Sequence, residues 1–270
     1  MINIGTVWDR TMSVIAGRFG ILLSLALLLL IAPPLVQAAV DTLGGTSFAM
    51  RAMQMAMALV VFVAAAIGAI AITAVASNPD VDRASALAIG RARLGPFIGV
   101  SLIIGLAFGL VTLPGLILVG ISGFSLEQAR AGGAQDAVNL TLLGIGILYL
   151  FLLAPLMLWA AARLVPLGAV IVNERRGIAA IARSFALTRG ATLKLIGVLI
   201  LYGVVFLVVL TAATSVIGLV ARLLAGANGT VAVSLAVAAA TALVTALFSI
   251  LQAVFGASLY AAAQEAHEAA

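Results

Sequence analysis

The stretch Leu195-Ile196-Gly197-Val198-Leu199-Ile200-Leu201-Tyr202-Gly203-Val204-Val205-Phe206-Leu207-Val208-Val209-Leu210 decides the fold, and no charge interrupts the chain between Lys194 and Arg222. A bilayer core about 30 Å thick is crossed by roughly 20 apolar residues in a helix. Transmembrane strands are about ten residues of alternating polarity, so continuous runs of this length are helices. Five more runs have the same character: Ile21 to Ala39, Met53 to Ala76, Phe97 to Ile121, Leu140 to Val172 and Val231 to Ala261. The first is read as a retained helix kinked near Pro33-Pro34, although Val36-Gln37-Ala38 resembles a signal cleavage site. The third is expected to break at Leu113-Pro114-Gly115. In the fourth, Arg163 and Pro166 interrupt the apolar run, and Arg163 either ends the span or snorkels from inside it.

Composition agrees with the runs. The 270 residues are 64% hydrophobic and 9% charged, with a mean hydropathy of +1.30. Soluble domains are nearer half apolar and a quarter charged. Six spans account for most of the chain, so residues 1–270 form one transmembrane domain with short loops. Thirteen of the 14 basic residues are arginine, a bias that points to a GC-rich bacterial genome.

Basic residues orient the chain. Arg10, Arg18, Arg83, Arg91, Arg93, Arg163, Arg175, Arg176, Arg183, Arg189 and Lys194, 11 of the 14, fall on the side that carries both termini. Arg163 leaves this group if it lies in the bilayer. Only Arg51, Arg130 and Arg222 fall on the other side. Both termini are expected to face the cytoplasm.

Three segments on that side look alike, and each leads into a hydrophobic hairpin. They are Val7-Trp8-Asp9-Arg10-Thr11-Met12 through Gly20, Ala86 through Gly95, and Ala180 through Gly190. Trp8, Met12, Ile15 and Phe19 share one helical face, as do Ile178, Ile181 and Phe185. Such helices lie at the lipid–water interface, with a closing glycine turning the chain into the next span. The expected architecture is all-α: six transmembrane helices as three hairpins, each preceded by a short cytoplasmic interfacial amphipathic helix. The approximate repeats are 1–76, 77–172 and 173–270. Their spacing is uneven, 75 residues from Gly20 to Gly95 and 95 from Gly95 to Gly190.

The stretch Asn173-Glu174-Arg175-Arg176-Gly177 through Arg183-Ser184-Phe185-Ala186-Leu187-Thr188-Arg189-Gly190 resembles a known signature, either with one extra residue, Arg176, before Gly177 or with Arg176 itself in the arginine role. That signature marks the membrane domain found beside glycerophosphoryl diester phosphodiesterases and the related YciC-like bacterial membrane proteins. Trp8 to Gly20 and Leu113-Pro114-Gly115 also fit the group. The resemblance implies a six-helix bacterial inner-membrane protein and carries no activity onto these residues.

The chemistry available is narrow. With no cysteine there is no disulfide, thiolate or zinc–sulfur chemistry. The single histidine, His267, sits in the polar tail Glu265-Ala266-His267-Glu268, and the nine carboxylates form no cluster inside a span. No catalytic residue, metal ligand or cofactor is expected, and the phosphodiesterase barrel itself is missing. Nucleic acid is also set aside, because the basic residues are spread along one membrane face without aromatic platforms. The sequons at Asn139 and Asn228 carry no weight in a bacterial protein, and the loop at Ala131-Gly132-Gly133 is expected to be mobile.

Two groups of residues remain as candidates. Arg175, Arg176, Arg183 and Arg189 lie beside an interfacial helix, where guanidinium groups suit lipid phosphates. Thr241, Thr245, Ser249, Gln252 and Gly256 line one face of the last span, and Gly105 and Gly109 form a Gly-x-x-x-Gly in the third. Thr211, Ser215, Gly218 and Arg222 repeat the pattern in the fifth span. These are either helix-packing positions or a polar cavity. The expected function is a non-enzymatic inner-membrane protein binding lipids or a partner membrane protein, itself included, as scaffold or accessory subunit. The alternative is a small transporter for a lipid or amphipathic solute.

Overall fold

In the computed structural model, residues 3–45, 47–125, 138–226 and 229–268 are described, and all regular structure among them is helical. Arg130, Ala131-Gly132-Gly133, Asn228 and the side chain of His267 lie outside the described residues. The helices are α1 (Ile4–Ala26), α2 (Ala32–Leu43), α3 (Phe48–Ser77), α4 (Arg83–Ile121) and α5 (Leu140–Leu164). There follow α6 (Leu167–Asn173), α7 (Ala179–Leu187), α8 (Thr192–Ala225) and α9 (Thr230–Glu268). A π-helical turn, Leu27–Ile31, joins α1 to α2. Six continuous units are long and apolar enough to cross a membrane. The chain is an all-α polytopic membrane protein.

The helix α9 is the hub. It packs on α1, α2 and the π turn, on α3, on α6 and α7, and along α8. The circuit α3–α4–α5–α8–α9 closes back on α3. Burial is concentrated at the end that carries both termini, termed here the terminal face. In α3 the buried residues are confined to Ala66 through Val75, and beyond Val100 the only buried residue of α4 is Gly115. Only 6% of the most apolar windows of α4, α5 and α8 is buried within the chain, against 28% for α3. Apolar surface left this bare requires a non-aqueous surround. Lipid-facing helices meet that requirement.

Small residues and phenols, rather than hydroxyl stripes, join the outer halves. Gly115 and Gly146 are buried where α4 crosses α5. A Cβ at Gly115 would stand 2.7 Å from the Leu150 and Tyr149 side chains. The Tyr149 hydroxyl donates to the Val111 carbonyl at 2.7 Å, within the turn that Pro114 deprives of one backbone donor. Between α8 and α9 the Tyr202 hydroxyl donates to the Phe248 carbonyl at 3.0 Å. Phe206 and Phe248 meet edge to face beside it, 5.1 Å apart.

Several sequence expectations change. The third span does not break at Leu113-Pro114-Gly115: α4 runs unbroken through Pro96 and Pro114. The carbonyl that Pro114 leaves without its helical donor is that of Leu110, and the Tyr149 hydroxyl of α5 bonds the next one, Val111. The Pro33-Pro34 kink takes the form of the π turn immediately before those residues, which occupy the first turn of α2. A closing glycine turns the chain only at Gly190, whose φ is +84°. The first interfacial segment bends instead at Arg18 (φ −124°, ψ 20°) within α1. The second, through Gly95, continues straight into α4. In the first segment Val7 and Thr11 are the buried side chains, whereas Trp8, Met12 and Phe19 stay exposed. The apolar face at Trp8, Met12 and Phe19 is therefore left uncovered by the rest of the chain.

Candidate functional site

The terminal face is built from three elbows, and arginines hold each together. At the first, the bend places the Arg18 guanidinium against the end of α3. Its Nη1 donates to the carbonyls of Val75 at 2.7 Å and Asn78 at 2.8 Å. Its Nη2 donates to those of Pro79 at 2.5 Å and Val81 at 2.9 Å. Helix C-termini end in unpaired carbonyls with partial negative charge, so a cation there satisfies both requirements. Arg18 thus serves as a cap supplied by another helix.

At the second elbow Glu174 is the centre, with its side chain 13% exposed. Its Oε1 accepts from Arg183 Nε at 2.9 Å and from the Tyr260 hydroxyl at 3.2 Å, and Gln264 donates to that hydroxyl at 2.6 Å. Arg176 Nε lies 2.8 Å from Oε2, an ion pair without the alignment of a hydrogen bond, since Oε2 has no hydrogen-bond donor. Arg10 and Glu265, 2.8 Å apart, add an exposed ion pair between α1 and α9.

The third elbow is the turn from α7 into α8. Ser184 is buried and its hydroxyl donates to the Arg163 carbonyl at 2.7 Å. The buried Thr188 hydroxyl donates to the Ser184 carbonyl at 3.0 Å. The Ala191 N–H closes a turn onto the Thr188 carbonyl at 3.2 Å, with Gly190 in the left-handed region. Nothing lies within 4 Å of a Cβ built at Gly190, so Gly190→Ala meets only the backbone penalty. We expect a loss of about 1 kcal/mol, measurable as a lowered midpoint of thermal unfolding in detergent.

Beside this elbow runs an open groove of about 920 Å³ between the end of α5 and α7. Trp159, Arg163, Ile178, Ile181, Phe185 and Arg189 shape it. Arg163 sits in the last turn of α5 and donates to the Phe185 carbonyl at 2.8 Å. Its guanidinium lies 5.4 Å from the Trp159 ring and 5.9 Å from that of Phe185. Its Nε is buried without a hydrogen-bond partner. Arg189 is exposed, with no ion-pair or hydrogen-bond partner among the described residues. Two cations, a tryptophan and an apolar floor therefore share one surface.

The four arginines singled out by sequence thus separate. Arg176 and Arg183 are committed to Glu174, Arg189 faces the groove, and Arg175 lines a different pocket. The polar stripe separates as well. Thr241 bonds its own helix at Val237 O, 2.9 Å away, Thr245 is exposed and Ser249 half-buried. Gln252 lines a crevice of about 440 Å³ between α1, α8 and α9, which is otherwise mostly apolar. Gly105 and Gly109 are exposed, with no atom within 4 Å of a built Cβ. Close approach occurs further along α4, at Gly115. Thr211 and Ser215 line a shallow outer depression on α8, and Gly218 and Arg222 one between α8 and α9.

The structural roles of Arg18 and Glu174 are not legible in the sequence. Arg18 was read only as an orienting charge, because its acceptors lie some 60 positions downstream. Glu174 did carry a signal: it is the acidic residue within a run of arginines. No family model, curated protein or solved structure matches the chain.

Proposed function

We propose that the chain is a non-enzymatic protein of a bacterial inner membrane that binds anionic phospholipid and acts as a scaffold or accessory subunit. The observation that carries this reading is the groove at Trp159, Arg163, Phe185 and Arg189. A phosphate diester pairs with the planar guanidinium of Arg189, and the lipid's acyl chains lie against Ile178, Ile181 and Phe185. The basic excess on the terminal face supports a cytoplasmic location for both termini, and each basic residue near an anionic leaflet adds about 1 kcal/mol of attraction.

A second reading, a transporter of an amphipathic solute, draws support from the crevice holding Gln252. A transporter additionally requires two access states.

The chain has two tryptophans, Trp8 and Trp159, so Trp8→Phe makes Trp159 the sole reporter of the groove. In vesicles, phosphatidylglycerol with brominated acyl chains is expected to quench Trp159 more strongly than brominated phosphatidylcholine. Arg189→Gln, at an exposed position, is expected to abolish that preference without altering insertion. Equal quenching by the two lipids in the unsubstituted groove contradicts the proposal.

A further inference from the structure

We propose that a second pocket on the terminal face, between the end of α3, the start of α4 and the turn after α6, binds a phosphate group. It has a volume of about 410 Å³ and is lined by Arg93, Arg175, Asn78 and Asn173 together with apolar side chains from α3, α4 and α6. No carboxylate lines it. Neither arginine has an ion-pair or hydrogen-bond partner among the described residues. Two arginines from distant parts of the chain line this one pocket, and an anion held between them offsets their like charge.

The backbone around the pocket is arranged for the same charge. Arg175 has φ +56° and is the one non-glycine residue in the left-handed region among the described residues. Its neighbours Glu174 and Arg176 pair with each other, while Arg175 lines the other pocket. The strain of this conformation is of order 1 kcal/mol or more and is characteristic of binding positions. The C-terminus of α3 would ordinarily oppose an anion, because its last carbonyls carry partial negative charge. Here Arg18 occupies the carbonyls of Val75, Asn78, Pro79 and Val81. The Asn78 side-chain oxygen accepts from the Asp80 N–H, which leaves the Asn78 amide nitrogen as a donor. Asp80 and Asp82 belong to the same turn but do not line the pocket, and the Asp82 carboxylate caps α4 through the Ser85 N–H at 2.8 Å.

The ligand class is a phosphate ester or orthophosphate, from a lipid headgroup or from solution. The test uses the full chain in neutral detergent, in an Arg189→Gln background so that the groove does not contribute. Short-chain phosphatidylglycerol and inorganic phosphate are titrated separately by calorimetry. Arg93→Gln with Arg175→Gly removes both cations, and glycine adopts the left-handed conformation without strain, so folding is preserved and the thermal midpoint confirms it. The expected result is saturable binding weakened about tenfold or more in this variant, given the strength of charge-assisted phosphate contacts. Binding of the lipid alone assigns the site to a headgroup, and equal binding of inorganic phosphate assigns it to a soluble anion. Unchanged affinity in the double variant, or no saturable binding of either probe before substitution, overturns the proposal. Such a failure leaves the Trp159 quenching result untouched.

Discussion

Arg18→Gln is expected to release the end of α3 and to be among the most destabilising single changes in the chain. Four carbonyls lose a cationic donor at once, and the bend in α1 at Arg18 loses its anchor. Hydrogen bonds to charged groups contribute about 1.5–3 kcal/mol each. Two of the four here lie at exposed positions, so the total expected is about 3 kcal/mol rather than the sum. Unfolding by SDS titration from mixed micelles measures it. Arg18→Lys should recover only part of the loss, because an ammonium lacks the planar fork that reaches four acceptors. A change within about 0.5 kcal/mol for Arg18→Gln would show that the cap has no energetic role.

The second large effect is expected at Glu174. Its carboxylate is largely buried and faces Arg183, Arg176 and the Tyr260 hydroxyl. Glu174→Ala leaves a partly buried cation and a phenol without their acceptor. Removing one partner of a buried ion pair costs about 3–5 kcal/mol. The lower end applies, since Arg183 retains 26% of its side-chain exposure. Glu174→Gln keeps an acceptor for Tyr260 and should cost less. The cycle with Arg183→Gln separates the pair from the rest: Glu174→Ala should cost markedly less once Arg183 is already gone. Equal costs in both backgrounds would assign the stability to Arg176 and Tyr260 instead.

The parts of the fold that follow from composition were legible in the sequence. The uncharged run between Lys194 and Arg222 identifies a membrane helix without reference to the rest of the chain, and five similar runs supply the remaining spans. What depended on neighbours was not legible. Pro114 reads as a break, yet α4 continues through it and packs closely on the next helix at Gly115. Gly105 and Gly109 have helix-packing spacing, yet the crossing falls at Gly115 and Gly146. The arginine cluster was legible as a cluster. Its division among an ion-pair network, a groove and a separate pocket was not, because a membrane elbow sends neighbouring side chains to opposite sides of the backbone. Arg175, with its left-handed conformation, illustrates this best.

The most direct measurement of the central proposal is native mass spectrometry of the chain extracted gently from its own membranes, compared with the Arg189→Gln variant. The account predicts that an anionic phospholipid stays bound to the unsubstituted chain and that Arg189→Gln lowers the retained number by one. A bare chain, or identical lipid retention in both, would contradict the assignment of the groove at Trp159, Arg163, Phe185 and Arg189 to anionic lipid.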